Sequence, residues 1–224
     1  MINLEKDVER VKITLDKRKQ IVDCEVAAVM DCSGSAKPFY YNEFYQTVVE
    51  RCLPIAMVVD IDKKIDSWIF DTNFKQMVTI TVNNIEGYIN KQVVKHCTWG
   101  GTYYGRVLED IKNKFAPSVT KFLFLKRTKP VSPVLVLFFT DGANDDKEQF
   151  DKFLKTNIDN NLFIQIIGIG VSDYVKEYIL KLTAKYHHLG FIALDTIDSI
   201  DDEDLYDGII SEKFVTWYNK FKGQ

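Results

Sequence analysis

The feature that most constrains the fold of this chain is a run of six apolar residues, Val134-Leu-Val-Leu-Phe-Phe139. A strand with one face in water alternates apolar and polar side chains, whereas an unbroken apolar run is typical of a strand covered by helices on both faces. Short apolar runs at 25–30, 163–169 and 191–194 alternate with amphipathic stretches. This alternation indicates an α/β fold: a mostly parallel sheet with helices on both faces.

The stretches between the apolar runs have the periodicity of helices that bury one face. In residues 4–19, for example, apolar side chains recur at spacings of four and three from Leu4 to Leu15. Residues 64–70 and 76–81 are predicted as two strands close enough to form a hairpin, which gives the sheet one antiparallel edge strand. The predicted helices span residues 4–19, 42–58, 84–95, 103–115, 145–160, 173–186 and 203–221.

Length, composition and charge limit the possible classes of protein. The chain has 224 residues, of which 46% are hydrophobic, so it can bury a sizeable core. Its formal net charge of −3 gives no electrostatic reason to bind nucleic acid or an anionic membrane. No apolar run approaches the roughly 18 residues of a transmembrane helix, and the charged start lacks the apolar core of a signal peptide. We therefore expect a cytoplasmic protein that binds neither nucleic acid nor a membrane.

The four cysteines, Cys24, Cys32, Cys52 and Cys97, form no C-x-x-C pair, and the three histidines do not complete a zinc spacing. Free cysteine is among the most buried residue types, and disulfides are unusual in a reducing compartment. We expect these thiols to be small apolar groups in or beside the core.

Side chains with oxygen donors follow the predicted strands at three places. Asp31, Ser33 and Ser35 come directly after the first strand, Thr102 follows a glycine pair, and Asp141 comes directly after the strongest strand. Ligands of parallel sheets bind beyond the carboxyl ends of the strands, so we expect these side chains to converge. Two carboxylates and three hydroxyls, without sulfur or imidazole, suit Mg²⁺ or Mn²⁺ and fit zinc or copper poorly.

This set of donors leaves room for a visiting ligand. Mg²⁺ takes six oxygens, and three short hydroxyls leave positions for waters and for one group from outside. If both carboxylates bound the ion directly, they would largely neutralise its charge. If one or both acted through water, the ion would remain electrophilic, and an Asp or Glu carboxylate from a protein partner would complete its shell. The sequence leaves both arrangements open.

These five residues, with Asp141 in a Thr-Asp-Gly turn, resemble the metal-ion-dependent adhesion site of von Willebrand factor A (vWA) domains. The resemblance extends over roughly residues 23–221. It implies a Rossmann-like, doubly wound sheet similar to that of dinucleotide-binding domains, a divalent cation held by the five residues, and binding of a protein partner.

A narrower resemblance rests on three further segments. Leu4–Lys19, Val48–Pro54 and Asn84–Ile89 are similar to the vWA domain of the TerF-like tellurium-resistance proteins. This resemblance implies a link to operons for tellurite, toxic-ion and phage stress, with other tellurium-resistance proteins as possible partners.

The whole chain, residues 1–224, is predicted to be a single vWA domain, with residues 1–20 as an N-terminal helix packed on it or leading into it. Residues 117–133 look like an insertion, because this connection is longer than is usual in the family. The insertion mixes apolar and cationic residues. It is predicted either as a contact surface for an acidic partner or as an extra edge segment that lysines protect from pairing.

Aromatic side chains flank the predicted metal site. Trp99 precedes Thr102, and Tyr103 and Tyr104 follow it directly. Tyrosine and tryptophan are enriched at interface hot spots, so the three rings are candidates for partner binding. The alternative is that they only pack against the next helix.

Two acidic residues, Asp145 and Asp146, follow the Asp141 turn. Asp145 with Glu148 resembles a capping box at the start of the next helix, and the alternative is a role in tuning the metal.

The leading hypothesis is a metal-dependent protein-interaction module without catalytic activity. A second is an Mg²⁺-dependent phosphohydrolase that uses Asp31 as its nucleophile. Such enzymes need a second carboxylate two residues later, where this chain has Ser33, and a cationic group on the phosphate, which the three ligand segments lack. A third is a purely structural domain whose site stays empty.

Overall fold

The computed structural model describes residues 3–116, 119–122, 125–128, 131–142, 144–157, 161–196 and 199–223. Within these ranges the strands are β1 (Glu25–Asp31), β2 (Asp66–Phe70), β3 (Phe74–Gln76), β4 (Val119–Phe122), β5 (Leu125–Thr128), β6 (Val134–Thr140), β7 (Leu162–Ile169) and β8 (Leu189–Leu194). The α-helices are α1 (Leu4–Lys17), α2 (Lys37–Tyr41), α3 (Phe44–Val59), α4 (Tyr104–Lys114), α5 (Lys147–Thr156), α6 (Asp173–Lys185), α7 (Asp202–Ile209) and α8 (Glu212–Lys222).

Six of the strands form one sheet in the order β3-β2-β1-β6-β7-β8. Five of them are parallel, and β3 pairs antiparallel with β2 at one edge. The prediction of a mostly parallel, doubly wound sheet with one antiparallel edge strand is therefore confirmed.

The core lies on both faces of this sheet. Leu135, Leu137 and Phe139 of β6 belong to an apolar cluster that α1, α3, α7 and α8 complete, and their neighbours in β6 point into a second cluster formed with α4, α5 and α6. Successive side chains of a strand point to opposite faces, so burial on both faces requires an apolar residue at every position. The unbroken run in β6 follows from this arrangement.

The strand order reverses between β1 and β6. The chain moves outward from β1 to β2 on one side, and from β6 to β7 and β8 on the other. A crevice beyond the carboxyl ends of the strands is expected at such a switch point. Asp31 is the last residue of β1, and Asp141 directly follows β6, so both lie at this crevice.

The predicted hairpin partner at 76–81 is wrong in position. The chain turns earlier, because the Asp71 carboxylate accepts a hydrogen bond from the Asn73 N–H at 2.8 Å and the Asp71 N–H donates to the Asn73 carbonyl at 2.8 Å. The partner of β2 is therefore Phe74–Gln76. Of the later residues, Ile80 makes a single antiparallel bridge with Ile65.

The predicted helix over 84–95 is replaced by turns, a π-helical segment at Ile89–Val93 and a 3₁₀ turn at Val94–His96. Gly87 has a φ of +65°, a left-handed conformation that ends a helix. The Gln46 side chain donates to the Ile85 carbonyl at 2.7 Å and accepts from the Ile89 N–H at 2.9 Å. Tertiary hydrogen bonds thus replace the helical ones.

The single closing helix predicted over 203–221 is two helices. Ile210 ends α7 in a non-helical conformation, and the Ser211 side chain accepts a hydrogen bond from the Phe214 N–H to begin α8. A serine in this position is a preferred N-cap, so it favours a new helix over continuation of the old one. The other predicted helices agree with the structure apart from their ends, and α3 continues through Pro54. Residues 158–160, predicted as the end of one of them, lie outside the described part of the structure.

In the region predicted as an insertion, β4 and β5 form a separate antiparallel hairpin. Its side chains, and residues 117, 118, 123, 124, 129 and 130, lie outside the described part of the structure. Both interpretations of this segment remain predictions. At the other end of the chain, α1 packs against α3 and α7.

All four cysteines are free thiols, and Cys24, Cys32 and Cys52 are buried while Cys97 is half-buried. Burial raises the pKa of the Cys52 thiol to about 12, so it stays protonated at neutral pH. None of the helices in the described ranges combines the length and the apolar character that crossing a bilayer requires.

Candidate metal centre

Asp31 is the deepest of the five predicted ligands, with 0% of its surface exposed. One carboxylate oxygen accepts from the Ser33 N–H at 2.8 Å, and the other accepts from the Thr140 hydroxyl at 2.7 Å. Its backbone carbonyl accepts from the Tyr40 hydroxyl at 2.8 Å. The carboxylate is therefore held in one orientation from both the β1 and the β6 side of the crevice.

A chain of hydrogen bonds joins the turn after β1 to the turn after β6. The Ser33 and Ser35 hydroxyls lie 3.2 Å apart, and the Ser35 hydroxyl donates to the Asp141 carboxylate at 3.2 Å. Ser33 is buried, Asp141 is half-buried and Ser35 is exposed. Asp31, Ser33, Ser35 and Asp141 thus meet at one place with an opening to solvent on the Ser35 side.

Thr102 is positioned by its backbone. Its N–H donates to the Asp145 carboxylate at 2.9 Å, and its carbonyl accepts from the Asp145 N–H at 2.7 Å. The preceding glycines adjoin the β1 turn, because the Gly34 N–H donates to the Gly100 carbonyl at 3.0 Å. In the described part of the chain, the Thr102 hydroxyl makes no hydrogen bond to the other four residues, so its place in the set rests on the proximity of the two loops.

The electrostatics of the site are those of two carboxylates in a poorly solvated space. Burial, and then the charge of Asp141, raise the pKa of Asp31 to about 7, although hydrogen bonds from Ser33 and Thr140 oppose the shift. Burial also raises the pKa of Asp141. The raised pKa values mean that the ionised carboxylates are less stable here than in water. A cation between them would offset this destabilisation.

The donors at this place are oxygens of carboxylates and hydroxyls. Among the described residues, no three or more histidine, cysteine, aspartate or glutamate side chains are grouped to hold a metal ion. The set therefore suits a hard cation such as Mg²⁺ or Mn²⁺, which is satisfied by a few protein oxygens and several waters.

The sequence of this chain matches a family model along most of its length. The model describes the vWA domain found in the C terminus of TerF, and it matches residues 23–224. The chain belongs to the TerF-like vWA family. Members of the vWA family commonly bind metals and proteins.

A curated relative of this vWA domain is the uncharacterized protein YcbR of Bacillus subtilis strain 168. It is 27% identical over 231 residues, which cover 99% of this chain and 89% of the relative. The similarity therefore includes α1, which lies before the segment that the family model matches.

Solved structures share the fold of this vWA domain. The ArnB paralog VWA2 from Sulfolobus acidocaldarius superimposes with a TM-score of 0.51 at 15% identity, covering 84% of this chain and 44% of that one. The manganese-loaded TRAP protein of Plasmodium vivax superimposes with a TM-score of 0.53 at 13% identity, covering 85% of this chain and 73% of that one. The chain thus spans less than half the length of the Sulfolobus structure.

The three aromatic residues of this vWA domain lie in different surroundings. Tyr104 is only 1% exposed and packs in the core, which is the second of the two expectations for it and removes it as a partner-binding candidate. Trp99 is half-buried with a left-handed φ of 58°, and the Lys37 ammonium lies 5.4 Å from its ring centroid. Tyr103 is half-buried beside the Arg106 guanidinium. Trp99 and Tyr103 remain candidates for partner binding.

The predicted capping box of Asp145 and Glu148 is wrong. Helix α5 begins after Asp146, without a side-chain cap hydrogen bond. The Asp145 carboxylate binds the Thr102 N–H instead, because the Thr102 loop lies against this turn. The neighbouring Asp146 carboxylate accepts from the Tyr104 and Gly105 N–H groups at 3.0 and 2.7 Å, so it caps α4 rather than its own helix.

Several residues that support the site were missed by the sequence reasoning. The Tyr104 hydroxyl lies 2.8 Å from the Thr140 hydroxyl and 2.7 Å from the Gly142 carbonyl, and its one proton can be donated to either. Donated to Thr140, it forms a buried relay of hydroxyls, because Thr140 donates in turn to the Asp31 carboxylate. Asp71, just after β2, accepts hydrogen bonds from the Thr98 N–H and hydroxyl, which fixes the start of the Thr102 loop. Asp71 follows a strand end, so the rule that found Asp31 and Asp141 could also have found it.

Proposed function

We propose that this vWA domain is a protein-interaction module that depends on a divalent cation. Asp31, Ser33, Ser35, Thr102 and Asp141 hold Mg²⁺ or Mn²⁺, and an Asp or Glu carboxylate of the partner completes the coordination. The observation that carries the proposal is the hydrogen-bond chain from Asp31 to Asp141, which brings donors from both sides of the switch point to one opening.

Each residue has a role that follows from its position. The Ser33 and Ser35 hydroxyls and the Thr102 hydroxyl are neutral donors, so they bind a cation without cancelling its charge. The carboxylates of Asp31 and Asp141 supply the negative field, and Asp31 is fixed by two hydrogen bonds to its own oxygens. When bound, the cation supplies a Lewis-acidic position that attracts a carboxylate. Because Ser35 is exposed, the partner approaches from its side.

Binding without catalysis suits this site better than phosphoryl transfer. A phosphohydrolase of this kind needs a cationic side chain on the phosphate, and the three segments that carry the predicted ligands contain no lysine or arginine. Position 33, where phosphohydrolases need a second carboxylate, is a serine. These observations favour the interaction module over an Mg²⁺-dependent phosphohydrolase.

The biological setting of the proposal comes from the family. Because the chain belongs to the TerF-like vWA family, we place it in a cytoplasmic response to tellurite, toxic-ion or phage stress, with other tellurium-resistance proteins as candidate partners. The manganese in the Plasmodium vivax TRAP structure supports a divalent cation at a site of this fold.

The experiment is a titration of Mn²⁺ and Mg²⁺ into the metal-free protein by calorimetry, followed by pull-downs from cell extract with Mg²⁺ or with a chelator. We expect cation binding, and a partner that is captured with Mg²⁺ and lost with the chelator. Ser35→Ala should weaken both, while Ser199→Ala, at an exposed serine of another loop, should change neither. Absence of cation binding, or capture that persists in excess chelator, would contradict the proposal.

A further inference from the structure

Tyr45, in the first turn of α3, carries a polar group that the fold leaves unused. The residue is 0% exposed, and its hydroxyl has no hydrogen-bond partner among the described residues. Burying a hydroxyl without a partner costs stability, so buried tyrosine hydroxyls are usually paired. A phenylalanine would fill the same space without this cost, and a hydrogen-bond partner from outside the protein chain, such as a water, would offset it.

The Tyr45 ring lies beneath the candidate metal centre. It stacks on Tyr40 with 4.3 Å between ring centroids, and its edge packs on Phe139 at 6.4 Å. Tyr40 is bonded to the carbonyl of Asp31, and Phe139 precedes Thr140 and Asp141 in the chain. The ring is therefore held between residues at the end of β1 and the end of β6.

The two site carboxylates act on this phenol. After burial, the charges of Asp31 and then Asp141 are the largest causes that raise the pKa of Tyr45. The hydroxyl therefore keeps its proton and can donate it to a negative or electron-rich group. No direct hydrogen bond joins it to either carboxylate in the described structure, so a contact between them would need a bridging molecule such as a water.

We propose that Tyr45 is a positioning residue of the cation site, whose hydroxyl donates a hydrogen bond to a water held between it and the Asp31–Asp141 pair when a cation is bound. The proposal rests on the proposed function of the site. It adds a determinant that lies outside the five predicted ligands. Partners of this kind orient the ligands of metal sites, and their removal commonly weakens metal affinity by about 10- to 100-fold.

The chain offers a matched control in Tyr206 of α7. Tyr206 is also 0% exposed, and its hydroxyl also has no hydrogen-bond partner in the described ranges. The charges that act on it belong to Asp7 and Asp202, not to the metal centre. Tyr206→Phe thus removes the same kind of group from a different place.

The experiment compares Tyr45→Phe and Tyr206→Phe with the unmodified protein, by Mn²⁺ calorimetry and by thermal unfolding with and without Mn²⁺. Without metal, both variants should unfold at the same temperature as the unmodified protein or higher, because each loses an unpaired buried hydroxyl. With metal, the Kd of Tyr45→Phe should rise by about 10-fold, and its metal-dependent gain in Tm should shrink. Tyr206→Phe should keep both values.

Three results would overturn the proposal. An unchanged Mn²⁺ affinity of Tyr45→Phe, while the unmodified protein binds Mn²⁺, would refute the role of Tyr45 and leave the proposed function intact. A lower Tm of the metal-free Tyr45→Phe protein with unchanged affinity would assign the hydroxyl a structural role only. Absence of Mn²⁺ binding by the unmodified protein would refute the proposed function, and this inference with it.

Discussion

Thr102 and Asp145 are joined by two hydrogen bonds of opposite direction. The Thr102 N–H donates to the Asp145 carboxylate, and the Asp145 N–H donates to the Thr102 carbonyl. With Asp146 on the start of α4, this pair fastens the loop before α4 to the turn after β6. The two loops that carry Thr102 and Asp141 are therefore coupled, and a substitution in either loop is expected to disturb the site.

The first test of this coupling is to remove the cap that Asp146 provides for α4. Asp146→Ala leaves the buried N–H groups of Tyr104 and Gly105 without an acceptor, so we expect a loss of about 2 kcal/mol in the free energy of unfolding. Urea denaturation measures it. Asp173→Ala, at a fully exposed carboxylate in the first turn of α6, should cost less than about 0.5 kcal/mol. Equal losses in the two variants would contradict the assignment.

The close approach of Gly101 to Asp145 gives a second test. A Cβ at Gly101 would lie 2.8 Å from the Asp145 carboxylate, which must then move away from Thr102. Gly101→Ala is expected to cost on the order of 1–3 kcal/mol in stability and to weaken Mn²⁺ binding. A Cβ at Gly142 meets no atom within 4 Å, so Gly142→Ala is the control that should keep both properties. Thermal unfolding and calorimetry distinguish them, and indifference to Gly101→Ala would argue against a coupled loop pair.

The raised pKa of Asp31 predicts a pH dependence for the metal-free protein. The folded protein binds a proton at Asp31 more tightly than the unfolded chain does, so its stability is expected to fall as the pH rises from 3.8 to about 7. The fall is on the order of a few kcal/mol. Asp31→Asn should flatten this slope and stabilise the metal-free protein at pH 8, while abolishing cation binding.

Denaturation in chelator at pH 5.5 and pH 8 measures this slope, and Asp173→Asn serves as the control that keeps it. If Asp31→Asn kept the full slope, the buried carboxylate would not be its source.

Removal of the Tyr104 hydroxyl is expected to lower the stability of the metal-free protein, whereas removal of the Tyr45 hydroxyl is not. Tyr104→Phe removes a hydroxyl that lies within hydrogen-bond distance of both Thr140 and the Gly142 carbonyl, so the metal-free protein should lose about 1 kcal/mol of stability. Cation affinity should fall by about 10-fold, because Thr140 orients the Asp31 carboxylate. Tyr174→Phe, at a ring that is 66% exposed, is the matched control for chemical denaturation and calorimetry. Full stability of Tyr104→Phe would speak against the relay.

Patterns within single segments predicted the sheet and most of its helices. The apolar run of β6 requires burial on both faces, and strand-end positions identified Asp31 and Asp141. The prediction of one closing helix is too long because the apolar side chains before and after Ser211 have the same helical periodicity, which hides the break between α7 and α8.

Features that depend on partners distant in sequence could not be predicted. The segment after residue 84 departs from a helix because Gln46, on another helix, binds its backbone. A capping pattern is local, so it assigns Asp145 to the helix that follows it. The partner of the Asp145 carboxylate is instead Thr102, which is 43 positions away. The same reason hides Tyr45, whose position under the site follows from packing on Tyr40 and Phe139.

The pairing of β1 with β6 brings together residues that are 109 positions apart, as Asp31 and Thr140 are. During synthesis, the first half of the site leaves the ribosome long before the second half exists. A ligand that needs both Asp31 and Asp141 therefore finds no site in a chain that ends before β6, and it cannot guide the early steps of folding. Its binding free energy stabilises only the state in which β1 and β6 have paired, so occupancy of the site would report that the centre of the sheet has formed.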